Sequence, residues 1–105
     1  MVVPNIYLLS EFSAKEPVIK SVYKLKKLEI DIIYLEKQTE LKPFKLYAQT
    51  DIWCVVEGRC SALVNGKQKR IKDGDILITY PGRLHGIRNN SKQRVIVLSF
   101  RLFGT

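Results

Sequence analysis

The sequence is poor in the residues that build metal sites, disulfide scaffolds and membrane spans. Its 105 residues include one histidine, one tryptophan, one methionine and two cysteines. Two cysteines, Cys54 and Cys60, are too few for a disulfide-rich fold, so both are expected to be free thiols. No apolar run approaches the roughly 20 residues that span a bilayer. The N-terminus lacks the pattern of a signal peptide, which predicts a cytoplasmic protein that does not enter a membrane.

Acidic residues are also scarce. The chain has 18 Lys and Arg against 10 Asp and Glu, a formal net charge of +8. Residues 1–50 hold 8 basic and 6 acidic residues, whereas residues 51–105 hold 10 basic and 4 acidic. This surplus favours a polyanion or an anionic small molecule as partner. The densest basic run, residues 67–72, lacks the interleaved aromatic residues of a nucleic-acid site, and we expect a solvated edge strand there.

Short alternating apolar runs dominate the rest of the chain, as is typical of one globular domain. Asn65-Gly66 is a strong hairpin signal because both residues tolerate positive φ. Such strands separated by regular turns predict an all-β fold, either a closed barrel or a sandwich. The predicted strands are residues 28–35, 51–56, 61–64, 67–71, 76–80, 85–88 and 94–103.

The first third of the chain is ambiguous. Residues 6–9 are compatible with a strand, and residues 18–28 fit a helical face and a strand equally well. We prefer a strand for the latter because the remainder of the chain is β. The sequence thus predicts an N-terminal arm or extra strand at residues 1–26 and a single barrel domain at residues 27–105.

Residues 74–89, GDILITYPGRLHGIRN, resemble the second signature motif of the cupin superfamily, G-x5-P-x-G-x2-H-x3-N. Gly74, Gly82, His85 and Asn89 stand at its defined positions, and Tyr80 replaces its first proline. The resemblance implies a small antiparallel β-barrel of jelly-roll type. It also implies that the histidine points into the barrel.

The first cupin motif, G-x5-H-x-H-x3,4-E-x6-G, is present only in part. Gly58 matches its closing glycine, and Asp51 stands where the family often has Glu. The paired histidines belong near residues 44–47, where this chain has Phe-Lys-Leu-Tyr. A metal-binding cupin would use two His, one Glu and a third His, so His85 and Asp51 alone fall short. We therefore expect no metal and no other cofactor.

Cupins that lack the metal ligands include the N-terminal sensor domains of AraC-type transcription regulators. The strands ILITYPGRLH and VIVLSFRLF resemble theirs. This resemblance implies a non-catalytic domain that binds a small organic ligand, a sugar or an anionic metabolite, and that forms a homodimer. The apolar residues Phe100, Leu102 and Phe103 also favour dimerisation. DNA would be contacted only through a domain absent from this chain.

The alternation of a strand places Asp51 and Trp53 on one face, where Trp53 would offer a platform for a sugar. A hydrogen bond to a ligand and a packing role are both open for His85 and Tyr80. An inward Arg83 would suit a carboxylate or phosphate. The candidate ligand-binding residues are His85, Tyr80, Trp53, Asp51, Tyr47 and Arg83.

Two other functions stay open. The chain could be a stand-alone cupin enzyme, metal-dependent or of isomerase or epimerase type, acting on a small metabolite. A metal-free epimerase would need a second positioned group beside His85, and Asp51 and Tyr80 are the candidates. Direct nucleic-acid binding through the basic charge is the third hypothesis, and steep salt dependence would reveal it.

Overall fold

Nine antiparallel strands form two sheets in the computed structural model, which describes residues 1–104. Sheet A has five strands in the order β1-β2-β9-β4-β7, and sheet B has four in the order β3-β8-β5-β6. This architecture confirms the predicted all-β, jelly-roll fold class. The strands are β1 (Val18–Lys24), β2 (Leu28–Leu35), β3 (Glu40–Lys45), β4 (Gln49–Glu57), β5 (Arg59–Val64), β6 (Lys67–Lys72), β7 (Ile76–Thr79), β8 (Leu84–Arg88) and β9 (Val95–Phe103).

The strands predicted from residue 28 onward are all present, with ends that differ by at most two residues. Asn65 and Gly66 both have positive φ, 49° and 79°, as the predicted two-residue hairpin requires. The segment at 18–24 is a strand, as preferred. Residues 6–9 are not a strand but a turn, in which the Leu8 amide donates to the Asn5 carbonyl at 2.9 Å.

Strand β3 escaped the sequence analysis because its sequence, ELKPFK, contains a proline and does not alternate. Pro43 lies where the pairing with β8 shifts register, between Leu41 and Phe44. Proline is tolerated there because β3 is an edge strand and the shift removes ladder hydrogen bonds. Gly86 of β8 faces this point, and a Cβ on it would lie 2.8 Å from the Leu41 carbonyl oxygen.

The main core lies between the inner faces of the two sheets and includes Leu35, Trp53, Ile87 and Val97. Cys60 belongs to this core as a free thiol, and burial raises its pKa to about 12. A thiol with that pKa stays protonated at neutral pH and packs as a small apolar group.

A second apolar cluster lies on the outer face of sheet A, where N-terminal residues cover it. Ile6 and Phe12 pack against Tyr34 and its neighbours. The Tyr34 hydroxyl donates to the Ile6 carbonyl at 2.6 Å. Within residues 1–104, no helix is long and apolar enough to cross a membrane.

Candidate functional site

One end of the barrel, here called the mouth, is formed by the first residues of β4 and β8 and the last residues of β9. Asp51 and Trp53 on β4 point inward, as the period of the strand predicts, and each is 1% exposed. His85 on β8 is equally buried. Its Nε2 atom lies 2.7 Å from Oδ2 of Asp51. The two residues that stand at ligand positions of the metal-binding cupin motifs therefore contact each other.

Both ring nitrogens of His85 face oxygen acceptors. Nδ1 lies 2.9 Å from the Arg83 carbonyl oxygen, which can only accept, so this nitrogen carries a proton. Nε2 faces the Asp51 carboxylate, which also accepts when it is ionised. Both ring nitrogens are therefore engaged by protein oxygens, and neither faces an open position for a metal ion or a substrate.

A third charged residue completes the cluster, and the sequence analysis missed it. Arg101 on β9 pairs in register with Asp51 on β4. Its Nε donates to Oδ1 of Asp51 at 2.8 Å, and its Nη2 donates to Oδ2 at 3.2 Å. Two-point pairing of this kind is stronger and more directional than a single contact. We call Asp51, His85 and Arg101 the mouth network.

Asp51 and Arg101 of the mouth network hold each other in their ionised forms. Burial alone would raise the pKa of Asp51, but hydrogen bonds from His85 and Arg101, with their charges, hold it below its ordinary value of 3.8. The hydrogen bond to Asp51 raises the pKa of Arg101 above its ordinary value. Asp51 is therefore a carboxylate at neutral pH, paired with the partly exposed guanidinium of Arg101.

Aromatic rings enclose the mouth network on the barrel side. The ring of Phe44 lies 4.3 Å from that of His85, and the ring of Trp53 lies 5.2 Å from it. The Arg101 guanidinium sits 5.7 Å from the centre of the Phe44 ring. Phe44 occupies the region where the paired histidines of metal cupins belong, so an apolar ring stands where two nitrogen ligands would be.

The other three predicted ligand-binding residues lie on the rim and face solvent. Tyr47 is 82% exposed and Tyr80 is 63% exposed. The side chain of Arg83 is exposed, and only its carbonyl turns towards His85. The structure thus brings together Asp51, Trp53 and His85 but not these three. Ligand binding by any of the six stays a prediction.

Two further carboxylates lie beside the mouth network, on β2. Glu29 and Asp31 share the inner face of that strand, and Asp31 pairs in register with Ser99 of β9. Burial, the largest effect, raises the pKa of Asp31, and the hydrogen bond from Ser21 opposes it. Lys24 lies 3.5 Å from Glu29. Glu29 and Asp31 thus add negative charge beside Asp51, close to the cations Lys24 and Arg101.

The donor atoms at the mouth do not fit the metal centre of a metal-binding cupin. The remaining histidine and carboxylate form a hydrogen bond with each other, and the guanidinium of Arg101 donates to the same carboxylate. Across residues 1–104, no group of three or more His, Cys, Asp or Glu side chains could hold a metal ion. The positive charge that a metal ion would supply comes here from Arg101.

Comparison with known proteins decides the family. The family model described as a cupin domain matches residues 33–101, more than half of the chain. The chain belongs to the cupin family. None of the curated proteins matches it. Cupin membership accounts for the fold and for the partial signature motifs, and it leaves the activity open.

Solved structures similar to this cupin share the fold at low sequence identity. A protein of Thermus thermophilus superposes with a TM-score of 0.92 at 16% identity, covering 98% of both chains. An uncharacterised conserved protein of Klebsiella pneumoniae with a double-stranded beta-helix domain gives a TM-score of 0.89 at 24% identity, covering 96% of this chain and 89% of that one. KdgF from a Halomonas species gives 0.75 at 17%, covering 83% and 78%.

Two signature residues of this cupin hold the end of the barrel opposite the mouth. Gly58 has φ +100°, and a Cβ there would lie 2.8 Å from the Arg94 carbonyl oxygen. The fully buried Asn89 amide donates to the Leu35 and Gln93 carbonyls at 3.0 and 2.7 Å. Both residues therefore maintain backbone geometry, whereas Asp51 and His85 carry the charge at the mouth.

Proposed function

We propose that this chain is a non-catalytic, metal-independent cupin domain that senses a small organic ligand, as part of an AraC-type transcription regulator. The closed mouth network carries this proposal. Its hydrogen bonds engage the imidazole of His85 and the carboxylate of Asp51, which stand at two ligand positions of the metal-binding cupin motifs. The strands at residues 76–85 and 95–103, which resemble those of AraC-type sensor domains, support the regulator assignment.

The burial and the hydrogen bonds of His85 support a binding role over catalysis. A general base needs a free lone pair within hydrogen-bond reach of its substrate. The His85 side chain is 2% exposed, and both its nitrogens are engaged. The pair with Asp51 that an epimerase would need is present, but it is held inside the barrel. Tyr80, the other candidate partner, lies on the rim.

A neutral sugar fits the mouth better than an anionic metabolite. Inside the mouth, Lys24, His85 and Arg101 already face carboxylates, which leaves the exposed Arg83 on the rim as a cation without an ion pair in the described chain. The Arg101 side chain is 27% exposed, and hydroxyl groups can hydrogen-bond to its outer edge. Half-buried Phe44 beside it offers an apolar face to a sugar ring.

Metal independence is tested directly by elemental analysis. We expect protein incubated with Fe²⁺, Mn²⁺, Ni²⁺ or Zn²⁺ and then dialysed to retain far less than one ion per chain. Retention of one ion per chain that is lost in His85→Ala would contradict the proposal. The Cys60→Ala variant, with its thiol in the core away from the mouth, serves as the control for binding through thiols.

Sugar sensing is tested by thermal unfolding in the presence of neutral monosaccharides and their uronic acids. We expect a saturable rise in the unfolding temperature with a neutral sugar and a smaller rise with its acid. The exposed rim residue Tyr80, changed to Ala, should weaken the rise. Tyr7→Ala, a similarly exposed tyrosine in the N-terminal turn, should not. An equal rise in unfolding temperature in the Tyr80→Ala and Tyr7→Ala variants would mean that the sugar does not bind at the mouth.

The homodimer is proposed to form through the outer face of sheet A. Ile78 of β7, Ile52 of β4 and Phe100 of β9 form one cross-strand row on that face. Ile76 and Ile78 are exposed, whereas Phe100 is half-buried. An apolar row of this kind is suited to a matching surface on a second copy.

Sedimentation at micromolar concentration should give twice the 12.1 kDa mass of one chain. Ile78→Lys should shift it to one chain mass because a charge would be buried at the interface. Leu84→Lys, an exposed apolar residue on sheet B, is the matched control. A wild-type protein that sediments as a monomer would exclude this dimer.

A further inference from the structure

The outer face of sheet B carries a cluster of positive side chains that the mouth does not use. Alternation along β6 places Ile71 in the core, so Arg70 and Lys72 point to the outer face. Arg59 of β5 lies directly opposite Lys72, and Ser61 lies opposite Arg70. We call the surface formed by these four residues the basic groove.

The three cations of the basic groove lie close together without acidic partners. Directly opposed residues on antiparallel strands have Cβ atoms about 5 Å apart, and like charges in such pairs destabilise a sheet. In the described part of the chain, none of the three forms an ion pair with a carboxylate. The sheet therefore carries a local repulsion that a bound anion would relieve.

Two neighbouring carboxylates accept hydrogen bonds from backbone amides, and one of them, Asp75, lines the same cavity as the cations. Asp73 Oδ1 accepts from the Gly58 amide at 2.6 Å. Asp75 Oδ2 accepts from the Lys72 amide at 2.8 Å. In the described part of the chain, neither carboxylate forms an ion pair with Arg59, Arg70 or Lys72, so the donors of these side chains are not taken by a carboxylate.

A cavity of about 540 Å³ lies against these cations and is closed on one side by Asn90 and Ser91. Ser61 lines it and is 6% exposed. The Ser61 hydroxyl oxygen accepts from the amide nitrogens of Gln68 and Asn90, both at 3.0 Å. It donates to no acceptor in the described residues. Two amides thus fix a buried hydroxyl whose proton remains available to a ligand in the cavity.

We propose that the basic groove binds a phosphate group, free or carried on a small molecule. A phosphate dianion needs several cationic donors and accepts hydroxyl hydrogen bonds on the same oxygens, and Arg offers it two parallel donors. Among residues 1–104, no aromatic side chain lines the cavity, so the base stacking that holds single-stranded nucleic acid is missing. The groove lies on the outer face of sheet B, apart from the mouth, and does not depend on the function proposed there.

Phosphate binding is tested by titrating the protein with inorganic phosphate, glycerol phosphate and glycerol, with sodium chloride matched for ionic strength. Binding is followed by amide chemical shifts in NMR. We expect saturable shifts centred on residues 59–61 and 70–72 with both phosphate compounds and none with glycerol. Tighter binding of glycerol phosphate would indicate an ester as the ligand, and tighter binding of inorganic phosphate would indicate the free ion.

The matched variants differ only in the face of β6 that loses charge. Arg70→Gln with Lys72→Gln should weaken phosphate binding at least about tenfold, because each charged hydrogen bond is worth more than the roughly 1.4 kcal/mol of that factor. Lys67→Gln with Lys69→Gln removes the same charge from the other face and should leave affinity within about twofold. Ser61→Ala should weaken binding without changing the net charge.

Equal losses in the two double variants would overturn the proposal, because binding would then follow net charge alone. The absence of saturable shifts with phosphate would overturn it as well. A third contrary outcome is tight binding of a DNA duplex. If phosphate does not displace the duplex and its affinity falls steeply with salt, the groove binds a polyanion and not a single phosphate group.

Discussion

Arginine is placed in opposite settings in the mouth network and in the basic groove. Arg101 is paired at two points with a buried carboxylate, whereas Arg59 and Arg70 face a cavity on the outer surface without an ion-pair partner in the described chain. Where donors and acceptors match, the charges stabilise the fold. Where cations lack acceptors, they cost stability and remain available to a ligand. The family motif marks the first setting and contains none of the second.

Removing the carboxylate of the mouth network should have the largest effect. Asp51→Asn leaves Arg101 and His85 without the anion that both contact, and breaking a buried ion pair typically costs about 3–5 kcal/mol. We expect a loss of that order in the free energy of unfolding, measured with urea. Asp73→Asn beside the basic groove, whose carboxylate is exposed, should cost less than about 1 kcal/mol. Similar losses of unfolding free energy in Asp51→Asn and Asp73→Asn would contradict the difference between the mouth network and the basic groove.

Removing the guanidinium should have a smaller effect than removing the carboxylate. Arg101→Met keeps much of the side-chain volume and leaves Asp51 with His85 as its remaining partner. Because Arg101 is partly exposed to solvent, we expect a loss of about 2 kcal/mol. Arg70→Met in the basic groove should be close to neutral. An Arg101→Met variant with an unchanged free energy of unfolding would show that this arginine does not stabilise the network.

The pH dependence of stability separates the two regions further. The folded-state pKa of Asp51 lies below its ordinary value of 3.8. The stabilisation it provides is therefore fully present above that value and is lost as the pH falls through the lowered one. The difference in unfolding temperature between wild type and Asp51→Asn should therefore shrink as the pH falls from about 5 towards about 2. A difference that stays constant over this range would contradict the pairing.

Neutralising the groove should have the smallest effect on stability and the opposite sign. Arg70→Gln with Lys72→Gln removes the charge of Lys72 that directly opposes Arg59 and the neighbouring charge of Arg70. The phosphate-free protein should therefore be unchanged or more stable by up to about 0.5 kcal/mol. The Lys67→Gln, Lys69→Gln variant is the control. Urea unfolding in a phosphate-free buffer measures both. A loss above about 1 kcal/mol in the Arg70 variant would mean that these cations are structural.

The sequence alone predicts the inward half of the mouth network but not its third member. Alternation places Asp51 and Trp53 on one face, and the second motif turns His85 inward, because both signals are local. Arg101 depends on β9 lying beside β4 in one particular register, which no local pattern encodes. The basic run was expected to be a solvated edge strand, and β6 is an edge strand. Arg59 and Lys72 lie opposite each other because β5 and β6 pair as a hairpin around Asn65-Gly66.

Local sequence patterns also could not predict which way the side chains on the rim point. Tyr47 and Tyr80 lie just beyond strand ends, where the alternation of side chains stops, so their exposure depends on the turn conformation. β3 was missed for a related reason, because Pro43 interrupts its alternation and its partner β8 lies some 40 residues further along the chain. Contacts between distant segments thus account for what the sequence did not predict.

The central position of β9 has a consequence for the order of folding. β9 is the ninth strand along the chain, yet it lies between β2 and β4, and it pairs with both. Until it arrives, two strand edges remain open to other chains, and such edges promote aggregation. We therefore expect sheet A to form in one late step, slowed by the long loops it must close. Refolding monitored through the fluorescence of Trp53 on β4 would time that step.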